Sequence, residues 1–334
     1  MCCLYGLLDY KQKLSLVQKN HLLHKLSIAC EKRGTDATGI AFNRNGHMEI
    51  HKKPLPAHNF RQNIPAGVTA VMGHTRMTTQ GSEKINRNNH PFWGCCKDMH
   101  FALAHNGVLY NEMKLRKEFR LPDTNIETDS YVAVQMIERM RAFDLQAIQK
   151  MAEQVEGSFC FTLLDRLDNL YLVKGNNPLV IYHFEKLGFY VYASTEAILQ
   201  QGLRDAGFIH LPYREVQISL GDILVLNADG EVLRETFNTA KLDRYESFWF
   251  GSCSPYSYSQ SIFTSPVQHK RKKNVLYGTY LESLVDYAVN VGISEDEILF
   301  LYESGFEEEE IEALLYSPEI LWEYVEELCE MGFV

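Results

Sequence analysis

The chain has 334 residues, of which 46% are hydrophobic, and its formal net charge is −10. That length predicts one large domain or two, with enough apolar residues for a sizeable core. No apolar run reaches the ~18 residues that a membrane-spanning helix needs, and the first residues, MCCLYGLLDYKQK, lack the basic and apolar regions of a signal peptide. The eight cysteines have no regular spacing, which is typical of reduced thiols, so we expect a cytoplasmic protein.

The first 240 residues alternate short apolar runs with stretches of helical periodicity. Helices are predicted at 13–32 and 128–142, where apolar residues recur every three or four positions, and Thr128 or Asp129 is a candidate cap for the second helix. The predicted strands are bounded by turn residues and lie at 68–76, at 100–109, in several runs within 158–194 and in a hairpin at 220–235. Strands with helices packed outside them predict an α+β layered fold.

The rest of the chain differs in composition. Residues 241–274 are rich in Ser and Tyr and include a basic HKRKK run. We interpret them as a linker or surface excursion. The basic run is short and lies beside an acidic module, so keeping the linker solvated is a simpler role for it than binding nucleic acid. Residues 275–334 hold sixteen Asp and Glu and no Lys or Arg, whereas residues 1–274 carry a net charge of +6.

The acidic segment contains an internal repeat. GISEDEILFLYE at 292–303 matches GFEEEEIEALLY at 305–316 at a spacing of thirteen residues, and each copy places acidic residues where a helix would begin. Two compatible interpretations follow. One is a small helical module with a solvated acidic face, and the other is a docking module for a basic partner surface.

Cys2 is the most informative single residue. Removal of Met1, which is usual before a small side chain, leaves a thiol and a free α-amine on one residue. A free thiol has a pKa of about 8.5 and needs a base, and an α-amine with a pKa of about 7.7–8.0 is suited to accept its proton. This pair is an N-terminal form of a nucleophile with its own base. Position alone favours an incidental thiol at a chain end, but the downstream segments reverse that preference.

Five segments follow one another in a fixed order: MCCLYG at 1–6, RGTDATGIA at 33–41, GHTRMTTQG at 73–81, NHP at 89–91 with AHNGVLYN at 104–111, and ETDS at 127–130. Together they resemble the class II glutamine amidotransferases, the family of the glutaminase domains of glucosamine-6-phosphate synthase and amidophosphoribosyltransferase. ASTE at 193–196 is a weaker match. The chain departs from the family pattern at Cys3, Met77 and Gln80, where the family has Gly, Trp and His.

Hydrolysis of a primary amide needs a nucleophile, a site for the oxyanion and groups that hold the substrate. A His-Asn-Gly turn after a strand offers a side-chain amide and a backbone N–H side by side, and such fixed donors stabilise a tetrahedral oxyanion. The resemblance assigns this role to Asn106 and Gly107. It assigns the α-carboxylate of glutamine to Arg76, whose guanidinium can bind it in a bidentate manner, and the α-ammonium to Asp129.

The resemblance also implies that Thr79 is a supporting hydrogen-bond donor and that Arg33 and Asp36 order the local backbone. Taken singly, each residue has a simpler interpretation: Arg76 is a surface ion-pair partner, Asp129 is a helix cap, and the Asn-Gly pair is a turn. These separate interpretations do not explain why all the segments fall in the family order behind a Met-Cys start.

The resemblance implies a reaction and a fold. The Cys2 thiolate attacks the side-chain amide of L-glutamine, ammonia leaves, and water cleaves the thioester to give glutamate, with no metal or organic cofactor. The implied fold is a four-layer αββα N-terminal-nucleophile (Ntn) hydrolase sandwich of two antiparallel sheets over residues 2–240, followed by a small helical module at 275–334.

A zinc site is an alternative role for four residues that lie within eleven positions, namely His90, Cys95, Cys96 and His100. The adjacent Cys95 and Cys96 cannot readily both bind one tetrahedral ion, and the sequence has no CxxC pair. We therefore expect no metal and interpret His90 and His105 as buried structural histidines.

No phosphate-binding glycine loop follows residue 240. We therefore expect ammonia either to reach a separate acceptor protein, docked on residues 275–334, or to be released, and we expect no nucleic-acid or membrane partner. Two other functions remain open: hydrolysis of a different, γ-glutamyl amide, and non-catalytic glutamine binding by a regulator. Retention of Met1 would favour the regulator, because it blocks the amine.

Overall fold

The computed structural model describes residues 2–61, 63–97, 99–242, 279–290, 293–303, 308–315 and 321. The chain forms two compact units, Met1–Ser257 and Tyr258–Val334. Apart from its first two residues, the predicted linker at 241–274 lies outside the described residues.

The first sheet is antiparallel and has β1 near its centre. Its strands are β1 (Cys3–Leu8), β2 (Ala37–Arg44), β3 (His47–Lys53), β4 (Ala70–Arg76), β9 (Val180–Phe184), β10 (Phe189–Ala193) and β11 (Arg214–Glu215). They lie in the order β11-β9-β10-β1-β4-β2-β3. β1 pairs with β4 on one side and with β10 on the other, so its backbone donors and acceptors are used on both edges.

The second sheet is also antiparallel. Its strands are β5 (Phe92–Cys96), β6 (Met99–Leu109), β7 (Gly157–Asp165), β8 (Leu170–Lys174), β12 (Asp222–Leu226) and β13 (Val232–Thr236), in the order β13-β12-β8-β7-β6-β5. The predicted hairpin at 220–235 is formed by β12 and β13, and Gly230 in its turn has a φ of +84°, which favours glycine.

Helices cover the outer faces of both sheets. They are α1 (Leu16–Ala29), α2 (Glu112–Glu118), α3 (Tyr131–Met140), α4 (Leu145–Gln154) and α5 (Glu196–Asp205). One apolar core joins the first sheet to α1 and α5, a second lies between the sheets, and a third joins the second sheet to α3 and α4. The predicted α+β, four-layer αββα sandwich of two antiparallel sheets is therefore confirmed.

Strand periodicity explains how β1 serves two of these cores. Cys3, Tyr5 and Leu7 belong to the core beneath α1, whereas Leu4 and Leu8 belong to the core between the sheets. Successive side chains of a strand point to opposite faces. A strand that is buried on both faces must therefore be apolar at consecutive positions, as CLYGLL is.

The helix boundaries differ in part from those predicted. α1 begins behind a capping box formed by Ser15 and Gln18. The proposed caps for the second helix are wrong: α3 begins at Tyr131 with Ser130 at its N-cap, and the Ser130 side chain accepts no hydrogen bond from the first turn of the helix. Asp129 instead accepts a hydrogen bond from the N–H of Leu109, at 2.5 Å. The carboxylate that the sequence assigned to the helix N-terminus therefore binds the backbone of β6 instead.

The described part of the second unit is helical. It contains α6 (Thr279–Asn290), α7 (Glu295–Glu303) and α8 (Glu308–Leu315) around an apolar core. The two copies of the sequence repeat contribute α7 and α8, and Ser294 caps α7 by accepting from the N–H of Glu297 at 3.2 Å. None of the helices in the described ranges is both long and apolar enough to cross a bilayer.

Three buried histidines lie together near one end of the inter-sheet core. His74 on β4 donates from Nε2 to the carbonyl of His105 on β6, at 3.0 Å, and its ring lies 4.3 Å from that of His90 between centroids. Burial lowers the pKa of His74 to about 3 and lowers the pKa of His90 well below its usual range. Burial also lowers the pKa of His105. These imidazoles are therefore neutral at pH 7.

We predict that this cluster makes the fold sensitive to acid. The unfolded chain protonates histidine below about pH 6.5, whereas the folded protein keeps these rings neutral, so the free energy of unfolding decreases as pH falls below ~6.5. Each ring contributes a loss of up to about 1.4 kcal/mol per pH unit. In urea denaturation, the loss of stability from pH 7 to pH 5 should be smaller in His90→Leu than in the wild type, by about 2 kcal/mol.

The control for this prediction is His210→Leu, at an exposed position. It should keep the wild-type loss of stability between the two pH values. Equal acid sensitivity of the two variants would contradict a neutral, buried His90.

Candidate active site

The pairing of β1 with β4 positions Cys2. Cys3 lies opposite Thr75, so Cys2, which precedes β1, lies beside the end of β4 that carries Arg76. The partly buried Cys2 donates from Sγ to the carbonyl of Met77 at 3.5 Å, and its own carbonyl accepts from Nε of Arg33 at 3.2 Å. The chain start is thus held from both its side chain and its backbone.

The electrostatic environment of Cys2 combines opposing effects. Burial raises the pKa of the Cys2 thiol, the charge of Arg76 lowers it, and the charge of Asp129 raises it. The net direction is upward, so the thiol is neutral at pH 7. A cysteine in this setting needs a base to become a nucleophile.

Arg76 is a fixed internal cation rather than a surface ion-pair partner. It is only 2% exposed. Nη1 donates to Oδ1 of Asn89 at 2.7 Å, and Nη2 donates to the carbonyls of Gln80 and Gly81 at 2.6 and 3.0 Å. Burial lowers the pKa of Arg76, and the charges of Cys2 and Asp36 raise it. Three neutral acceptors therefore orient the guanidinium without neutralising its charge.

The loop that follows β4 is tied down at its base and exposed beyond it. Asp36 accepts from the N–H of Thr78 at 2.7 Å, and its own N–H donates to the carbonyl of Arg76 at 2.9 Å. Thr79 is exposed, whereas the neighbouring Thr78 hydroxyl is buried and has no partner among the described residues. Sequence reasoning missed Thr78, because two consecutive threonines cannot be ranked without the backbone.

Asn106 carries a buried side-chain amide with unused hydrogen-bonding capacity. The residue is fully buried, and neither Oδ1 nor Nδ2 has a partner among the described residues. Buried amides are nearly always hydrogen-bonded, so such an exception is expected where a ligand completes the bonding. Nδ2 of Asn177 donates to the backbone carbonyl of Asn106 at 2.8 Å and fixes the strand there.

Gly107 satisfies a backbone requirement. Its φ of +140° is a conformation that favours glycine, and a Cβ here would lie 2.0 Å from the carbonyl oxygen of Ser158. The predicted turn after a strand is wrong at this point. β6 continues to Leu109, with Asn106 opposite Cys160 and Gly107 opposite Phe159 on β7.

Asp129 supplies a buried carboxylate near the same place. It is 3% exposed and accepts from the N–H of Leu109, and Oδ1 accepts from the hydroxyl of Ser130 at 3.3 Å. Its charge acts on both Cys2 and Arg76. The structure therefore brings Cys2, Arg76 and Asp129 close enough for their charges to interact. Asn106 lies on β6 next to His105, whose carbonyl accepts a hydrogen bond from His74 on β4.

The unusual Cys3 lies on the opposite face of β1. Its Sγ lies 3.0 Å from Sγ of Cys30 in the core beneath α1. Because adjacent side chains of a strand point apart, a cysteine in place of the family glycine occupies core volume without crowding the side chain of Cys2.

The residues of the zinc alternative are dispersed. Cys95 pairs with His100 across β5 and β6, buried Cys96 donates to the carbonyl of Ile137 at 3.4 Å, and the ring of His90 lies against that of His74. Within the described ranges, no group of three or more His, Cys, Asp or Glu has a metal-binding arrangement.

Comparisons with known proteins show the family and the fold of the domain. Residues 74–201 match a family model described as a glutamine amidotransferase domain. The glutamine–fructose-6-phosphate aminotransferase (isomerizing) of Staphylococcus aureus is 30% identical over 258 residues, which cover 73% of this chain and 40% of that enzyme. The enzyme of the same name from Bacillus subtilis is 29% identical over 255 residues, with the same coverage. The chain thus spans less than half the length of these two relatives.

Among solved structures, the glutamine phosphoribosylpyrophosphate amidotransferase from B. subtilis, complexed with ADP and GMP, has the same fold. The TM-score is 0.55 at 22% identity, over 71% of this chain and 49% of that chain. The chain therefore carries a glutamine amidotransferase domain of the class II, N-terminal-nucleophile family.

Proposed function

We propose that this domain hydrolyses the side-chain amide of L-glutamine to glutamate and ammonia, with Cys2 as the nucleophile after removal of Met1. The observation that carries the proposal is the shared environment of Cys2, Arg76 and Asp129, because glutamine presents one anionic and one cationic group beside its reactive amide. A site built for a neutral amide alone would have no use for both buried charges, since burying a charge is costly.

The chemistry begins with activation of the thiol. Burial raises the pKa of the Cys2 thiol, so the thiolate does not form spontaneously at neutral pH. The α-amine of the same residue, acting through a water, accepts the proton, because its reference pKa of about 7.7–8.0 lies close to the operating pH. The neighbouring histidines are unsuited to this role, because burial keeps their pKa values low.

The thiolate then attacks the carboxamide carbon, and the negative charge moves to its oxygen. The side-chain amide of Asn106 and the N–H of Gly107 are proposed to donate to this oxyanion. The unpartnered, fully buried Nδ2 supports that role, because a donor fixed before the reaction needs no reorganisation as charge develops. Ammonia leaves, and water cleaves the γ-glutamyl thioester to release glutamate and the free thiol.

The two charges hold the rest of the substrate. A guanidinium has five N–H donors. Three bonds from Arg76 reach described residues, which leaves two donors for the α-carboxylate of glutamine. Asp129 accepts two bonds in the structure, and a carboxylate has about four acceptor sites, which leaves room for the α-ammonium. Thr79 is proposed to join these contacts from the exposed loop.

The destination of the ammonia is a separate proposal. We propose that a separate acceptor protein receives it and docks on the acidic module at 275–334. The excess of acid in that segment supports a basic partner surface. Within the chain, Arg33 and Asp36 are proposed to order the backbone around Cys2, which their hydrogen bonds to Cys2 and Thr78 support.

We predict that Cys2→Ala lowers the rate of ammonia release from glutamine by roughly three orders of magnitude or more, because it removes the nucleophile. The measurement is coupled ammonia detection with L-glutamine and with a panel of γ-glutamyl amides. Cys95→Ala removes another partly exposed thiol and should leave the rate unchanged.

Mass spectrometry of the purified protein should show that the chain begins at Cys2. A chain that retains Met1 and still hydrolyses glutamine would contradict the mechanism in which the α-amine of Cys2 is the base. A chain that binds glutamine but releases no ammonia would favour a regulator instead.

We predict that Asn106→Ala lowers kcat by about a hundredfold or more and changes stability little, because the amide has no partner among the described residues. Glutaminase kinetics and thermal melts of the variant check both halves. Asn59→Ala, at an exposed position, serves as the matched control. A variant that melts much earlier than the wild type, with kcat intact, would contradict the oxyanion role.

A further inference from the structure

A basic cleft lies at the edge of the first sheet, in a part of the domain that the proposed reaction does not use. Its volume is about 500 Å³, and the residues lining it include Lys52 and Lys53 of the edge strand β3, Arg61, Asn86 and Trp93. Small-molecule sites in proteins have volumes of about 300–1,000 Å³. In the assigned sheet order β3 is terminal, so the cleft opens beside a strand that pairs only with β2.

The charges of the cleft point to an anionic ligand. None of the described residues that line it is acidic. Glu49 lies nearby and contacts Nε2 of His51 at 3.3 Å, but Lys53 and Arg61 are exposed and form no ion pair with any described residue. Two unpaired cations on one concave surface attract phosphate, which an ammonium binds as a point charge and a guanidinium binds through its fork.

Trp93 supplies an apolar wall beside these cations. Its side chain is 47% exposed although it is a large aromatic, and its ring lies 5.1 Å from the His100 ring between centroids. An exposed indole face packs well against a sugar or a base. The cleft therefore combines a site for phosphate with a site for a ring.

Hydrogen bonds connect the wall of the cleft to Arg76. The Asn86 side chain donates to the carbonyl of Lys52 at 2.9 Å. Lys52 donates from Nζ to the carbonyls of Asn89 and Pro91, and Oδ1 of Asn89 accepts from Arg76 at 2.7 Å. Burial lowers the pKa of Lys52 to about 8, and the charge of Arg76 contributes. The cleft and the candidate active site thus share one continuous network.

We propose that this cleft binds a small phosphorylated metabolite, whose phosphate contacts Lys53 and Arg61 and whose ring packs on Trp93, and that its binding changes the affinity of the active site for glutamine through Asn89 and Arg76. The first half of this proposal stands without the proposed glutaminase activity, whereas the second half rests on it. A bound ligand that orders the wall of the cleft would act, through Lys52, on Asn89, which orients the guanidinium of Arg76. Such coupling is reciprocal, so glutamine would in turn change the affinity of the cleft for its ligand.

The binding half is tested by isothermal titration calorimetry on the full chain. The probes are adenosine 5′-monophosphate, ribose 5-phosphate, inorganic phosphate and adenosine. We expect binding of at least one phosphate-bearing organic probe, no comparable binding of adenosine, and weaker binding at high salt, since exposed charges are screened. Comparison of the nucleotide with the sugar phosphate shows which ring the cleft prefers. Adenosine binding as tightly as its phosphate, or no binding by any phosphate probe, would overturn the site.

Variants locate the site. Lys53→Ala/Arg61→Ala should weaken binding of the phosphate probe by roughly tenfold or more, because it removes charge-assisted hydrogen bonds, and Trp93→Ala should weaken the organic probe but not inorganic phosphate. The matched control is Lys150→Ala/Arg204→Ala, which removes two exposed positive charges on α4 and α5 of the same domain. If Lys53→Ala/Arg61→Ala binds the phosphate probe as tightly as the wild type and the control variant do, the ligand binds elsewhere.

The coupling half is tested by glutaminase kinetics at a saturating concentration of the bound probe. We expect the KM for glutamine to change by at least about twofold, with kcat unchanged, in the wild type but not in Lys53→Ala/Arg61→Ala. That double variant should keep the basal activity, since neither residue belongs to the proposed catalytic or glutamine-binding groups. An unchanged KM while calorimetry records binding would overturn the coupling. A wild type without any glutaminase activity would instead overturn the proposed function, and calorimetry would still decide the site.

Discussion

The antiparallel pairing of β1 with β4 is the constraint on which the rest of the active-site region depends. It aligns Cys3 with Thr75 and so brings the start of the chain to the strand end that carries Arg76. Because β10 pairs with the other edge of β1 and both faces of β1 are buried, the strand has no freedom to slip. A shift of one residue would exchange the residues facing the two cores and move the chain start away from Arg76.

The interior near the site is polar but carries little charge. The histidines at 74, 90 and 105 are kept neutral by burial, so the charged side chains that act on the thiol through space are Arg76 and Asp129. The charge of Arg76 is oriented by neutral acceptors and that of Asp129 by backbone and hydroxyl donors. Such an arrangement holds opposite charges in place without letting them neutralise each other, which leaves both available to a zwitterionic ligand.

Much of the fold was predictable because its signals are local and redundant. The strands predicted at 68–76, at 100–109 and within 158–194, the hairpin at 220–235, α1 and the repeated helices of the second unit follow from periodicity, caps and turn residues. The errors arose where one local signal permits two structures. Asn106-Gly107 is typical of a turn, but pairing with β7 extends β6 through it. Asp129 is a typical helix cap, but Leu109 takes its carboxylate. In both places a contact between residues distant in sequence prevailed over local preference.

The sequence alone determined the family, the order of the motifs and the chemical types of the candidate residues, because these are properties of residue identity and spacing. The segment CLYGLL also has no polar side, which fits the burial of β1 on both faces in the structure. Only the tertiary structure decided that the Asn106 amide is buried with no partner in the described part of the chain, that the hydroxyl of Thr78 is buried whereas Thr79 is exposed, and that Asn89 joins Arg76 to Lys52. These facts depend on backbone direction and on contacts between distant strands, and no spacing along the chain contains them.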